Sequence, residues 1–587
     1  MRVFLCCLMV ATLLTGQTRK PAAAKVAKAK VPLHVPRGTP TAVRTMMQQM
    51  TLREMVGQLV MAPFYGENPA STRKAYKDYV RLVAPPAKGG LGVGGLILLN
   101  RVKRGLVQRA EPYAVAAFLN RMQKLAKVPL VVGGDFERSA SMRVNLPAVF
   151  PPAMAFGAVD DLALTRAFGA ATARESRALG VHWVFAPVAD VNNNPENPII
   201  NTRSFGEDPA KVAAHVKAFI EGARTAGKNQ VLLTVKHFPG HGDTATDTHL
   251  GLAKIEASRE RLEAVELAPF RAAIAAGVDG VMMGHLAVPA VEEEEIPATL
   301  SAKVMDRLLR RELGFGGLLV TDAMDMRGLT SQYAAGEAAV KALAAGAQVL
   351  MVPADPAAAI RGVVEAVEKG KLPASRVHNA VAALLAAKQR LGLLKSRYIS
   401  LENVSEQIDA PELAELAQTA SERALATLKN EGGVLPLGKP GEACWVVLQE
   451  NPAAPVGQRF LEEAQARAPK LRHWTIHARL SEEERAEALE EMGNCGKTVV
   501  ASFVTVSSFR GDVALPEALA GFVKALEERG APLVVVALGS PYVLRAFPGA
   551  AGHVATFSST TASEAAVVRG LWGEVVMGAK APVSVYR

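Results

Sequence analysis

The chain is poor in cysteine, with only four among its 587 residues. Cys6 and Cys7 lie in an N-terminal apolar run, which leaves Cys444 and Cys495 for the rest of the chain. Two distant cysteines make no disulfide framework, and their spacing fits no metal site. The sequence therefore excludes a disulfide-scaffolded fold, and it leaves open whether Cys444 and Cys495 pair.

The chain also lacks the motifs of several ligand classes. No Gly-rich dinucleotide fingerprint follows an early strand pattern, and no zinc-finger, helix-turn-helix or RNA-binding signature is present. The net charge of +11 is partly local. Residues 19–37 contain no acid and carry these basic residues: Arg19, Lys20, Lys25, Lys28, Lys30 and Arg37. We therefore expect no nucleic-acid partner and no cofactor.

The N-terminus carries an apolar run that is too short to span a bilayer comfortably. Residues 3–14 are mostly apolar and follow a positive charge at Arg2, which is typical of a secretory signal peptide. Residues 18–38 are rich in Ala, Lys and Pro and resemble a solvated linker. We expect a signal peptide over 1–17, a linker over 18–40, export to a periplasm or the medium, and no stable membrane span.

The composition is globular, with 49% hydrophobic and 21% charged residues. Continuous apolar runs, in which polar residues do not alternate with apolar ones, are separated by helical patterns. Such runs are expected for parallel strands buried on both faces. Eight strand–helix units in about 350 residues favour a (β/α)8 TIM-type barrel over 41–395, rather than an open doubly wound sheet. The eight runs are 59–64, 94–99, 130–135, 183–188, 232–238, 280–285, 318–323 and 348–353.

Polar side chains follow most of these runs. In a parallel barrel the carboxyl ends of the strands form the catalytic rim. Seven of the eight ends present polar residues, which is more than chance placement predicts. These residues are Asn100, Asp135, Asp190, Lys236 with His237, His285, Asp322 and Asp355.

A second, smaller α/β sandwich domain is predicted over 411–587, after a connector over 396–410. A helix is expected over 411–428, followed by a turn at 430–433. Further apolar runs then alternate with helical stretches, and none of them carries a catalytic motif. These runs are 444–449, 473–477, 498–503, 532–539 and 553–557.

Residues 236–252, KHFPGHGDTATDTHLGL, form the densest titratable segment. A metal site built from His237, His241 and His249 would need a helix, and Pro239 with its neighbouring glycines disfavours one. A structural role for polar side chains in a long loop explains His241 well. It explains the whole cluster poorly.

A catalytic loop explains the cluster better. Lys236 and His237 would lie at a strand end and bind a polyhydroxyl ligand. Asp247 and His249 are two residues apart, so on an extended backbone their side chains point the same way. Asp247 could then accept a hydrogen bond from one nitrogen of the His249 imidazole and leave the other nitrogen facing the substrate. This arrangement would let His249 act as a general acid and base.

A glycosidase also needs a carboxylate on the other side of the sugar. Asp322 ends the apolar run GGLLV, where a carboxylate is costly unless it is hydrogen-bonded or used. Asp325 is its rival. It falls past the strand end, so capping a following helix suits it better.

These segments resemble glycoside hydrolase family 3, specifically its bacterial β-N-acetylglucosaminidases in their two-domain form. The likeness covers most of residues 43–395, and residues 424–437 resemble the start of the second domain of longer members. The motif KHFPGHGDTATDTH is highly specific for these enzymes, and LLVTDAMDM resembles the nucleophile strand.

The resemblance implies roles for individual residues. Asp322 takes the nucleophile position and Asp247–His249 the acid/base dyad. NTRSFGEDP is similar to the segment whose arginine contacts the sugar. The implied sugar ligands are Asp135, Arg143, Arg203, Lys236 and His237.

One region departs from the family pattern Asp-x-Glu-Gly-Gly-Arg-Val-x-Arg. Asp135 and Arg143 keep their spacing, but residues 138–140 read Arg-Ser-Ala instead of Gly-Gly-Arg. We therefore expect a reshaped loop between the two sugar ligands.

The implied activity is retaining hydrolysis of terminal β-linked N-acetylglucosamine (β-N-acetylhexosaminidase, EC 3.2.1.52), from peptidoglycan fragments or chitooligosaccharides. The partner would be such an amino-sugar oligosaccharide or muropeptide, with no metal and no cofactor. A β-glucosidase, an N-acetylglucosamine phosphorylase of the same family and an inactive wall-binding protein are the alternatives.

Overall fold

The computed structural model describes residues 32–227, 230–493 and 495–586. The predicted signal peptide and residues 18–31 of the predicted linker lie outside this part. The first helix, Thr41–Gln48, begins where the sequence predicts. The next helix, Leu52–Gln58, opens on a capping box: Thr51 Oγ accepts from the Glu54 amide at 3.2 Å, and Glu54 accepts from the Thr51 amide at 2.9 Å.

Each of the eight predicted runs contains a strand, and the strands form one parallel sheet. They are β1 Val60–Phe64, β2 Gly95–Leu98, β3 Val131–Gly134, β4 Trp183–Val184, β5 Leu232–Phe238, β6 Gly280–Met283, β7 Leu318–Thr321 and β8 Leu350–Met351. The strand order is β7-β6-β5-β4-β3-β2-β1-β8. A parallel bridge between Val320 and Val349 joins the two ends, so the predicted (β/α)8 barrel is confirmed.

The interior of the barrel is filled by apolar side chains, and the close approach at Gly133 requires glycine. A Cβ added at Gly133 would lie 2.5 Å from the Phe185 ring. The buried Trp183 indole donates to Thr234 Oγ1 at 2.7 Å, so its polar atom is satisfied inside the core. Leu384 and Leu391 belong to the same apolar cluster and come from the last barrel helix and the residue after it.

Helices surround the barrel, and their amphipathic faces cover the strands. Short strand pairs join 101–103 to 106–108 and 253–254 to 286–287. The barrel helices from Lys74 onward are Lys74–Val83, Pro112–Leu125, Ala153–Val159, Leu162–Ala178, Pro209–Arg224, Arg259–Ala264, Ala268–Ala275, Lys303–Glu312 (of π type), Arg327–Thr330, Ala335–Ala345, Pro356–Glu368 and Ala374–Arg390.

The rest of the described chain forms a six-stranded sheet with helices against it. Its strands are β9 Ala426–Asn430, β10 Cys444–Gln449, β11 Arg472–His477, β12 Thr498–Val504, β13 Leu533–Gly539 and β14 Gly552–Ala555, in the order β9-β14-β13-β12-β10-β11. The helices are Val404–Ile408, Pro411–Arg423, Gln458–Arg467, Glu482–Met492, Glu517–Glu528 and Thr561–Leu571.

The helix predicted over 411–428 is wrong at its C-terminal end. It stops at Arg423, and β9 follows as an antiparallel edge strand on β14. Leu425 and Ala426 are completely buried, and the backbone of Thr427 pairs with Val554. Tertiary pairing with an open sheet edge thus overrides a local helical pattern.

The barrel and the second sheet share an apolar core. Met154, Ala155 and Ala158, on the barrel helix Ala153–Val159, belong to the same buried cluster as one face of the six-stranded sheet. The amide of Glu207 also donates to the Pro582 carbonyl at 3.0 Å. Helices of sufficient length and apolarity to cross a membrane are not found among the described residues.

Cys444 and Cys495, whose pairing the sequence leaves open, form a disulfide with a Cα–Cα distance of 5.9 Å. The bond joins the start of β10 to the segment before β12 and closes a loop of 51 residues in sequence separation. A crosslink of this length restricts the unfolded chain, so it stabilises the second domain.

We predict that the double variant Cys444→Ala/Cys495→Ala lowers the free energy of unfolding of the second domain by about 2–4 kcal/mol. Urea denaturation of the parent and the variant measures the difference. The prediction fails if alkylation and peptide mapping of the unreduced native protein find both cysteines free.

Candidate active site

The predicted site residues all lie at the mouth formed by the carboxyl ends of the barrel strands. Asp135 follows β3, and Asp322 follows β7. Lys236 and His237 are the two residues before the last residue of β5, and the 247–249 segment lies in the loop after this strand. Arg203 ends a short turn after β4. A closed parallel barrel brings these strand ends to one rim.

Lys236 is buried between two carboxylates. Its Nζ lies 2.7 Å from Asp135 Oδ1 and 2.7 Å from Glu137 Oε1, and Arg143 Nη2 lies 3.2 Å from Asp135 Oδ2. Burial acts to lower the pKa of Lys236, but the charges of Asp135 and Glu137 outweigh it and raise the pKa. The ammonium therefore stays charged at neutral pH.

Arg203 extends this network toward β5. Its guanidinium binds both oxygens of Glu137, at 2.8 and 2.9 Å, and its Nη2 lies 3.3 Å from His237 Nε2. Glu137 is a site residue that the sequence analysis did not assign. The signal for it was present, because Asp135-Phe136-Glu137 keeps the Asp-x-Glu part of the family pattern.

His237 is oriented by Asp190, which sequence reasoning placed at a strand end without a role. Asp190 Oδ2 lies 2.8 Å from His237 Nδ1, while Oδ1 accepts from the amides of His237 and His241 at 3.1 and 2.8 Å. Because Arg203 can only donate, His237 Nε2 is an acceptor there and the imidazole proton lies on Nδ1. Asp190 is therefore a buried carboxylate that selects the tautomer of His237.

Asp247 and His249 meet as predicted, although not on an extended backbone. Asp247 Oδ1 accepts from the His249 amide at 2.9 Å and lies 2.7 Å from His249 Nδ1. The bond to the amide two residues on is an Asx turn, and such a turn is the local preference of aspartate. The Asp247 side chain is fully buried, whereas 23% of the His249 side chain is exposed.

The electrostatics keep Asp247 ionised and leave one imidazole nitrogen free. Burial acts to raise the pKa of Asp247, but hydrogen bonds from the His249 side chain and backbone, and from the Phe509 amide, lower it overall. Within the described chain, His249 Nε2 has no hydrogen-bond partner. The pair can therefore present a proton or a lone pair at Nε2.

Asp322 directly follows β7, is partly buried and is hydrogen-bonded to the next residue. Its Oδ1 accepts from the Ala323 amide at 2.7 Å, and its own amide donates to the Met283 carbonyl of β6 at 3.0 Å. Burial acts to raise its pKa, but His237, His285 and the Ala323 amide lower it overall. An ionised carboxylate at the mouth, within electrostatic reach of His249, is what a nucleophile requires.

The helix-capping role expected for Asp325 is wrong. The helix Arg327–Thr330 has Met326 at its N-cap, without a side-chain cap. Desolvation and the charge of Asp322 raise the pKa of Asp325, so it is the less ionised of the two carboxyls. This contrast favours Asp322 as the nucleophile.

Three of the other predicted strand-end residues support the site or lie away from it. His285 is buried, with Nε2 2.9 Å from the Ala323 carbonyl, and it holds the chain after Asp322. Asn100 donates to the Arg143 carbonyl at 2.8 Å. Asp355 instead caps the helix Pro356–Glu368 by accepting from the Ala358 amide at 2.9 Å, and it is exposed.

The histidines do not gather as metal ligands. His241 Nε2 lies 3.1 Å from Thr248 Oγ1, and burial lowers its pKa to about 4, which suits the structural role. In the chain described here, no group of three or more His, Cys, Asp or Glu side chains is placed to hold a metal ion.

The loop that departs from the family pattern is tied to the barrel wall. Ser139 has a φ of 58°, and its hydroxyl donates to Glu175 on the helix Leu162–Ala178. The Ala140 amide donates to the same carboxyl at 3.3 Å. Burial raises the pKa of Glu175 to about 7. The segment between Asp135 and Arg143 is therefore fixed by a buried carboxyl behind it.

Fold and site together define a (β/α)8-barrel protein with ionised carboxylates, imidazoles, a buried lysine and partly buried arginines at its mouth. The family model for the glycosyl hydrolase family 3 N terminal domain matches residues 51–387. The chain belongs to glycosyl hydrolase family 3, as its motifs predict.

Relatives and solved structures agree with this membership. A beta-N-acetylglucosaminidase/beta-glucosidase of Cellulomonas fimi is 30% identical, with 71% of each chain covered. Beta-hexosaminidase A of Pseudoalteromonas piscicida is 29% identical, over 68% of this chain and 71% of the relative. The structure of a family 3 beta-N-acetylglucosaminidase from Paenibacillus sp. str. FPU-7 aligns with a TM-score of 0.79 at 33% identity, covering 92% of this chain and 99% of that one.

We predict that Glu175→Gln removes a pH-dependent loss of stability. The pKa of the Glu175 carboxyl is about 7 in the folded state, above its ordinary 4.5. The parent is therefore most stable against unfolding below pH 4.5, and it loses this stability as the pH rises through 7. The variant should lie within about 1 kcal/mol of the parent at pH 5 and exceed it at pH 8 by at most about 3 kcal/mol. Thermal unfolding at both pH values measures this, with the exposed Glu402→Gln as control. Equal stability of Glu175→Gln and the parent at pH 8 would contradict the assignment.

Proposed function

We propose that this chain hydrolyses terminal β-linked N-acetylglucosamine with retention of configuration. The observation that carries the proposal is the Asp247–His249 pair, with its free Nε2, on the same mouth as the ionised Asp322. Relatives named for this kind of activity match 68%, 71% and 92% of this chain. A nucleophile and an acid/base on one mouth are what a two-step displacement needs.

In the first proposed step, a carboxylate oxygen of Asp322 attacks the anomeric carbon. The glycosidic C–O bond breaks, and the proton on His249 Nε2 passes to the leaving oxygen. The imidazolium that supplies this proton is stabilised by the Asp247 carboxylate at Nδ1.

In the second step, the neutral His249 Nε2 accepts a proton from water, whose oxygen attacks the anomeric carbon. The bond to Asp322 breaks, the free sugar leaves, and the imidazolium is restored. The same group acts as acid and then as base, as microscopic reversibility requires.

The network behind the mouth supplies the sugar contacts in this proposal. Lys236 pairs with Asp135, and Lys236 and Arg203 both pair with Glu137, so the donors and acceptors of this network are already oriented before a sugar binds. Arg143 and His237 would complete the set. Such preorganisation favours ligands with several neighbouring hydroxyl groups over apolar ones.

We further propose that the natural substrate is a peptidoglycan fragment or a chitooligosaccharide, reached after export through the signal sequence over 1–17. A neutral imidazole as acid/base adds no second negative charge beside Asp322 or beside an acidic muropeptide. His249→Glu should therefore lose more activity on a leaving group with a carboxylate than on a neutral one. Equal loss on both would reject this rationale.

The activity is tested with an aryl β-N-acetylglucosaminide beside the matching aryl β-glucoside. We expect clear preference for the N-acetylglucosaminide, and loss of at least about a hundred-fold in kcat/KM for Asp322→Asn, because removal of a nucleophile leaves only the binding contacts. Preference for the glucoside would contradict the proposal. Binding without turnover by the parent chain would support the inactive wall-binding alternative.

The same assay separates hydrolysis from phosphorolysis when the products are analysed with and without phosphate. The proposal expects free N-acetylglucosamine in both cases. A sugar phosphate as the main product would place phosphate, not water, in the second step.

A further inference from the structure

A loop of the second domain reaches the acid/base pair at the barrel mouth. Residues 505–516, called here the mouth loop, connect β12 to the helix Glu517–Glu528. The backbone amide of Phe509 donates to Asp247 Oδ2 at 2.9 Å. The Phe509 ring lies edge-on to the His249 imidazole, with 5.1 Å between ring centroids.

The amide of Phe509 completes the hydrogen bonding of the Asp247 carboxylate. Oδ1 is used by the backbone and the side chain of His249, so Oδ2 is the oxygen that remains. In the described part of the chain, Phe509 supplies the only hydrogen bond to Oδ2. Because the Asp247 side chain is fully buried, loss of the Phe509 amide would leave its charged Oδ2 without a partner and favour rotation of the carboxylate.

The mouth loop is anchored so that it can hold this amide in place. Arg510 Nη1 lies 2.9 and 2.8 Å from the two oxygens of Glu450, just after β10, and Arg510 Nε lies 3.2 Å from Asp512 Oδ1. Arg510 also donates to the Ala514 carbonyl. The loop is thus tied across its own turn and to the sheet.

Phe509 itself adopts an uncommon backbone conformation, with a φ of 69°. This left-handed region is unfavourable for a bulky side chain, and such outliers persist where surrounding contacts hold them. Here the contacts are the Asp247 carboxylate on one side and the Arg510 cluster on the other. The conformation is therefore part of how the amide is presented to the barrel.

We propose that the second domain takes part in acid/base catalysis through Phe509, a positioning residue whose backbone amide fixes the Asp247 carboxylate and thereby aims His249 Nε2 at the leaving oxygen. The proposal rests on the proposed function of the Asp247–His249 pair. It gives the mouth loop, in which the sequence shows no catalytic motif, a role in the proton-transfer step.

The direct test replaces residue 509 with phenyllactic acid, which turns the amide into an ester and removes the N–H but keeps the ring. We expect kcat on an alkyl or disaccharide β-N-acetylglucosaminide to fall about ten-fold or more, because its leaving oxygen must be protonated. A dinitrophenyl substrate needs no acid for the first step, so its bond cleavage, followed as the pre-steady-state burst, should change less than two-fold. The same ester substitution at Val513, whose amide makes no hydrogen bond in the described chain, is the control.

A second variant tests the anchor with ordinary mutagenesis. Arg510→Ala should produce the same leaving-group-dependent loss in kcat, with little change in KM. Arg467→Ala is a matched control in the same domain: the two arginine side chains are 21% and 22% exposed, and each pairs with carboxylates. Equal losses on both substrates, or no loss on either, would overturn the positioning role.

A spectroscopic readout separates this proposal from the proposed function. The His249 Nδ1 proton, held by Asp247, should give a downfield resonance that disappears in His249→Gln and shifts in the ester variant. If the parent chain hydrolyses no N-acetylglucosaminide but the resonance shifts as expected, the proposed function fails and the positioning role stands. If the parent is active and the ester leaves the resonance unchanged, the positioning role fails alone.

Discussion

The ion pairs around Lys236 are the constraint on which the mouth of the barrel depends. The Lys236 side chain is 3% exposed, and its ammonium lies between Asp135 and Glu137, which follow a different strand. Removing one charge from this set leaves its partners without compensation for their desolvation. Each of these residues therefore depends on the presence of the others. The ion pairs of Lys236 join the ends of β3 and β5. The pair between Glu137 and Arg203 extends the network to the turn after β4.

From this network the site is built by carboxylates that orient imidazoles. Asp190 holds His237, and Asp247 holds His249, each through Nδ1, so that Nε2 is the nitrogen presented to other groups. The roles of the two pairs differ because of what their Nε2 atoms meet. Arg203 occupies the Nε2 of His237, whereas that of His249 has no hydrogen-bond partner within the described chain.

Much of the barrel could be predicted because its strands are buried on both faces and read as continuous apolar runs. The Asp247–His249 contact was also predictable, since an aspartate readily accepts from the amide two residues on. Glu137 was missed although the Asp-x-Glu pattern marked it, whereas Asp190 was harder to assign, because its partner His237 is distant in sequence and only the closed barrel brings the two together. The strand at 426–430 was missed since its stability comes from pairing with Gly552–Ala555.

The second domain illustrates the limit of motif reading most clearly. Phe509 contacts Asp247 through its backbone amide. Every residue except proline has this group, so a sequence motif cannot indicate the contact. The disulfide between Cys444 and Cys495 likewise depends on a fold that places both residues at the same end of neighbouring strands.

The central claim is that Asp322, not Asp325, attacks the sugar while the Asp247–His249 pair handles the proton. The most direct measurement is trapping with a 5-fluoro N-acetylglucosaminyl donor, which slows breakdown of the intermediate, followed by peptide mapping. The account predicts a single glycosyl adduct on Asp322. An adduct on Asp325, or turnover of the donor in the Asp322→Asn variant at the parental rate, would contradict it.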